Sequence, residues 1–193
     1  MNLRKFYTTS LFLAFSFSIW LLSSCSNSSE DTEMILSKLE DGRAKALITI
    51  QDTLFYQSES IFTGDIEIYP TSFRLNITDQ YEGNLVVSFI TEKWTKDMPI
   101  VKQVFAENPI VSSVMIGKIR DKKLRLGIGY LMTSGEITVT DLNKEKCIIS
   151  LRGTIAKYHE QQDSSKWKEF KGTIIYKKPK LLIQNFVDGK SIL

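Results

Sequence analysis

Ser72-Phe-Arg-Leu-Asn-Ile-Thr-Asp79 decides the fold, because Phe73, Leu75 and Ile77 alternate cleanly with Ser72, Arg74 and Asn76. Strict alternation marks a strand with one wet face and one buried face. The turn formers Asp79-Gln-Tyr-Glu-Gly83 follow, and a second apolar run, Leu85 to Phe89, comes after them. Strands joined by so short a connection are antiparallel neighbours, since a parallel pair needs a long crossover.

The same period spreads outward from this pair. Ala44, Ala46, Ile48 and Ile50 alternate with Lys45, Leu47, Thr49 and Gln51. Val114 to Ile119 and Leu124 to Tyr130 continue the pattern, as do Ile137 with Val139, and Ile149 and Leu151 with Ile155. Phe170, Ile174 and Tyr176 share a face, and Leu181-Leu-Ile183 starts a last strand. Polar connections at Arg120–Lys123 and Asp141–Lys144 separate several of these runs. Met34 to Asp41 predicts a short helix stopped at Gly42, and Pro99 to Ala106 a second, capped by Asp97. The expectation is an all-β fold: an antiparallel β-sandwich or partly open barrel of about nine strands, with one or two short helices. A lipocalin-type barrel would match the size, but its early Gly-x-Trp signature is missing.

Composition sets the outer bounds. The chain has 193 residues, of which 42% are hydrophobic and 24% charged, with 10 Gly and 4 Pro, so collagen-like and wholly disordered readings are excluded. One His and two Cys exclude a zinc cluster and a disulfide scaffold. Nothing in the sequence calls for a cofactor.

The amino-terminal residues carry an address. Arg4 and Lys5 precede the apolar run Leu11 to Leu22, which is followed by Ser23-Ser24-Cys25. A charged start, a short apolar stretch and small residues make a secretion signal, and the run is too short to span a bilayer. Leu22-Ser23-Ser24-Cys25 resembles the lipobox of bacterial lipoproteins. That resemblance implies cleavage before Cys25, a lipid on its sulfur and acylation of the new amine. Two acyl signals suffice for stable anchoring where a single chain binds only marginally. Ser26 in place of Asp resembles Gram-negative lipoproteins sent to the outer membrane, and Glu30-Asp31 loosely resembles acidic cell-surface signals. The expected organisation is a signal peptide over 1–24, a flexible polar tether over 25–33 and one β-rich domain over 34–193. Loss of Cys25 to lipid leaves Cys147 unpaired within the chain, in an apolar strand pattern that suits a small core residue.

Catalytic motifs are scarce. His159 stands in a polar stretch that reads as a solvent-facing loop, and no Gly-x-Ser-x-Gly elbow accompanies it. Asp65 and Glu67 share a strand face opposite Ile66 and Ile68, as a solvated surface would, although paired carboxylates can also hydrolyse glycosides. Gly127-Ile-Gly129 lies inside a strand pattern, where glycine marks a bend or bulge. Asp52-Thr53-Leu54 resembles a short bacterial O-glycosylation acceptor.

Charge is unevenly placed. Residues 25–112 carry a net −7 and residues 113–193 a net +8. Either both halves interleave in one sheet and neutralise each other, or the domain is dipolar and its basic side meets an anionic partner. Lys166 to Lys180 gathers six lysines around Trp167, Phe170 and Tyr176. One reading is a solvated strand whose lysines discourage edge pairing. The other is a contact patch in which Lys166, Lys168 and Lys171 surround Trp167 as a flat apolar platform.

The function expected is that of a lipid-anchored envelope lipoprotein, placed at the outer membrane, with a binding or scaffolding role and no catalysis. Its partners would be the membrane through Cys25 and an envelope protein or anionic glycan, with no nucleic acid. The alternative is a carbohydrate-active envelope enzyme using carboxylates. Cys25→Ala is expected to abolish palmitate labelling and leader processing, whereas palmitate persisting on the variant would place the anchor elsewhere.

Overall fold

Alternation in sequence becomes alternation in burial: Phe73, Leu75 and Ile77 are at most 1% exposed, while Arg74 and Asn76 between them face water. The computed structural model describes residues 27–91 and 98–184. A helix, α1 (Asn27–Lys38), begins earlier than the predicted Met34 and runs through part of the segment read as tether. Glu30 in its first turn and Lys38 in its last both complement the helix dipole.

Eleven strands follow among the described residues. They are β1 (Arg43–Ile50), β2 (Thr53–Leu54), β3 (Phe62–Tyr69), β4 (Ser72–Asp79), β5 (Asn84–Ile90) and β6 (Ile100–Phe105). The chain continues through β7 (Ser112–Asp121), β8 (Leu126–Leu142), β9 (Lys146–Lys157), β10 (Lys168–Lys177) and β11 (Lys180–Ile183). Eight of them form an antiparallel barrel in the order β3-β4-β5-β7-β8-β9-β10-β1, and the bridge from Ala44 to Phe62 returns β1 to β3. Three strands are additions: β2 pairs with β1, β6 with the second half of β8, and β11 with β3. The last of these is parallel, against the expectation of antiparallel neighbours throughout.

The helix predicted over Pro99–Ala106 is instead β6. Ile100 and Val104 are buried and Val101, Gln103 and Phe105 exposed, while Lys102 sits half-buried with its Nζ 5.9 Å from the centre of the Phe89 ring. A spacing of four apolar residues fits a helix or a strand equally, and pairing with Gly135–Val139 of β8 decides it. Asp97, the expected cap, lies outside the described residues.

An eight-stranded barrel has an interior that side chains can just fill. Phe62, Phe73, Phe89, Phe170 and Tyr176 fill it together with Ile48, Ile66, Leu85 and Ile149. Phe73 and Phe89 stack with ring centres 4.7 Å apart, and the Tyr176 hydroxyl donates to the Gly64 carbonyl at 2.6 Å. The loop after β2 contributes Phe55 and Tyr56, which meet edge to face at 4.8 Å. Lys118 holds this loop by donating to the Phe55 carbonyl, and its Nζ lies 4.6 Å from the Phe55 ring centre. Cys147 is fully buried in the core, as its pattern predicted.

Strands β8 and β9 pack closely where Gly135 faces Gly153. Gly135 has φ +132°, and a methyl group there would sit 2.1 Å from the Arg152 carbonyl oxygen. Gly135→Ala is therefore expected to destabilise the fold by about 2 kcal/mol or more, read as a lowered urea midpoint. Gly129→Ala, whose added carbon approaches Ile116 oxygen no closer than 3.8 Å, should change it by no more than about 1 kcal/mol. Equal effects of the two substitutions would contradict this account of the close approach.

Candidate functional site

The lysine-rich segment is built in two pieces. Asp163 accepts from the Ser165 amide at 3.0 Å and its hydroxyl at 2.6 Å, which forms the tight turn Ser164–Lys166 and holds the Asp163 carboxyl below its usual range. Lys166 is exposed on that turn. Trp167 follows half-buried, its indole N–H donating to the Gln161 carbonyl at 3.0 Å. Lys168 opens β10 on the face of buried Phe170, whereas Lys171 lies on the opposite face. Lys171 reaches Asp52 at 2.5 Å, and that bond raises its pKa. The turn thus keeps Lys166 beside Trp167, and the strand's pleat separates Lys168 from Lys171.

The other lysines of the segment are engaged as well. Lys178 pairs with Asp41 at 2.8 Å and Lys180 with Asp65 at 2.9 Å, while Lys177 donates to the Leu39 carbonyl at 2.7 Å. The bond to Lys180 occupies Asp65, one member of the carboxylate pair considered for catalysis. Its companion Glu67 stands opposite Arg74 in register. Among the described residues no three His, Cys, Asp or Glu side chains gather as a metal site would require. Thr53 is exposed on β2, next to the engaged Asp52.

A different face carries a groove. Val114 and Ile116 of β7 point into the core, so Ser113, Met115 and Gly117, which alternate with them, face outward. Across the ladder, Leu131 pairs with Met115, Gly129 with Gly117 and Gly127 with Ile119. The Gly117–Gly129 pair puts no side chain on the outer face, and a groove of about 890 Å³ lies over it. Tyr158 and His159, on the turn after β9, flank it, and Arg120 and Leu126 line it at the β7–β8 hairpin. Apolar atoms dominate its walls, and its size is that of a small-molecule site.

Two features of the groove depart from what the sequence suggested. The glycines of Gly127-Ile-Gly129 sit in regular register, and the bulge lies across from them, at Ile119/Asp121. Neither glycine has the left-handed φ that favours the residue, and a methyl group on either would meet only ordinary contacts, at 3.5 Å or more. The backbone does not require glycine at these positions. His159 is exposed, as a loop histidine should be, yet it borders the groove and lies 3.8 Å from Glu160. The sequence signal was Gly117 on one strand and Gly127 and Gly129 on the next, and only the strand register reveals that Gly117 faces Gly129.

No protein family, curated protein or solved structure matches the chain. The site's chemistry therefore rests on its own residues.

Cys147 supplies a check on burial. Desolvation in the core, with a smaller contribution from Asp141, pushes its thiol pKa up. The folded state then holds the proton more tightly than the unfolded chain, whose thiol titrates near 8.5. The stability this contributes is complete below that pH and is lost as pH rises above it. Cys147 should be inert to thiol reagents in the native protein at about pH 8 and react on unfolding. Rapid native labelling would show the thiol to be accessible.

Proposed function

We propose that the chain is a lipid-anchored envelope protein, held at the outer membrane through Cys25, that binds a ligand in the β7–β8 groove without transforming it. The observation that carries the reading is the floor of Gly127 and Gly129, left bare where the backbone would accept alanine. A bare floor serves a molecule that lies on it. The lipobox Leu22–Cys25 supports the anchor. An envelope protein or anionic glycan remains the macromolecular partner class, and Lys166 with Trp167 is the part of the predicted patch that could touch one.

The test compares the wild-type chain with Gly127→Val combined with Gly129→Val, each recovered from its own envelope under mild conditions. Small molecules that co-purify are then identified by mass spectrometry. An apolar molecule retained by wild type and lost from an equally stable double variant is the expected result. Identical extracts would remove the groove from the function. Turnover of an envelope glycan by the wild-type chain would favour a carbohydrate-active enzyme instead.

A further inference from the structure

We infer that the occupant of the β7–β8 groove is a single-chain amphiphile with an anionic head group, its chain on the glycine floor and its head at Arg120. The inference rests on the groove being a binding site and adds the chemistry of what it binds.

Shape gives the first argument. The residues that line the groove extend along β7 from Ser113 to Arg120, a span of roughly 24 Å at strand rise, which is longer than a compact ligand needs. Its surface is mostly apolar and open to water: Met115 is 45% exposed, Leu126 56% and Tyr158 82%. A slender hydrocarbon would cover these groups in one stroke, and covering them is favourable.

Charge gives the second. Arg120, Lys157 and His159 line the groove, and among the described residues no carboxylate does. Glu160 stands behind, 3.7 Å from Lys157 and 3.8 Å from His159, and so faces those two. Arg120 makes no ion pair among the described residues. Lys123 and Arg125 add charge at the adjoining hairpin tip, where Lys122 is taken by Glu82 at 3.2 Å. Lys157 stands level with Tyr130 and is met by Glu160, so the end at Arg120 and the hairpin tip is the basic one, and it complements a chain that carries one negative end.

Backbone geometry gives the third. Ile119 pairs with Gly127 and Asp121 with Leu126, so Arg120 is the extra residue of the bulge. Bulges re-aim a side chain, and this one sets a guanidinium where the trough ends. Guanidinium forks bind carboxylates and phosphates with two parallel hydrogen bonds.

The experiment uses the chain with Cys25→Ala behind an ordinary cleavable secretion signal in place of residues 1–24, so that neither a lipid nor the apolar run Leu11 to Leu22 competes. A fluorescent fatty acid is displaced by dodecanoate, dodecanol or dodecyltrimethylammonium, with and without 0.5 M salt (about three times physiological ionic strength). Dodecanoate should displace at least tenfold better than the cation, and Arg120→Gln should weaken dodecanoate about tenfold while sparing dodecanol. Gly127→Val with Gly129→Val should weaken all three, and Gly129→Ala alone guards against misfolding of that double variant. Equal displacement by the three head groups, or no effect of Arg120→Gln, overturns the head-group assignment and leaves the groove standing. Failure of every probe to bind wild type, or equal binding by an intact valine variant, overturns the groove as well. A last arm measures phosphatidylglycerol vesicles. Vesicle binding lost in Leu124→Ser, with no dodecanoate binding, would replace the inference with contact to a bilayer surface.

Discussion

A sheet becomes a barrel only if its interior is filled and its two edges meet. Here the edges meet at one bridged pair, Ala44 with Phe62, between strands otherwise held by their other neighbours. A full ladder would need β1 and β3 to run alongside each other, but β3 gives that edge to β11 and β1 gives part of its own to β2. The aromatic filling does the rest. Phe62, at the bridge itself, meets Tyr56 edge to face at 4.9 Å, and Tyr56 donates to the Asn84 carbonyl at 2.5 Å. Closure is thus a property of the core as much as of hydrogen bonding, and the outer faces of β7 and β8 are left free of that duty.

The opposite charges of the two halves of the chain find each other along the seams. Asp41, Asp52, Asp65 and Glu82 come from the acidic half, and their partners Lys178, Lys171, Lys180 and Lys122 from the basic half. These pairs are exposed and each contributes little to stability. Their arrangement still matters, because it removes most of the basic segment from service as a contact surface. Arg120 is left out of that scheme, which is why it stands out at the groove.

Much of the fold was legible because alternation in one strand directly reports which face is buried. Phe73 to Ile77 needed no tertiary information. The failures had local causes. Ile100 and Val104 are spaced as either a helix or a strand would space them, and only the ladder to β8 separates the two. The long β8 read as two runs because its pairing slips between Met132 and Ser134, where the alternation breaks. Strand β2 has two residues, too few to show a period. The groove was illegible for another reason: a glycine inside a strand looks like a defect until its partner across the ladder is known. Register is a non-local quantity, set by turns and bulges elsewhere. Lys168 and Lys171 show the same limit, since the point at which β10 begins decides which face each lysine takes.

The placement of β1 sets an order of events. Its main partner is β10, and Thr49 bonds to the carbonyl of Lys171 across 122 residues of chain. During synthesis β1 is among the first strands to exist and among the last to be satisfied. Contacts so distant in sequence slow folding, and an unpaired edge in the interval invites strangers. The chain meets this interval with Arg43 and Lys45 on the waiting strand, charges that discourage the wrong neighbour until the right one has been made.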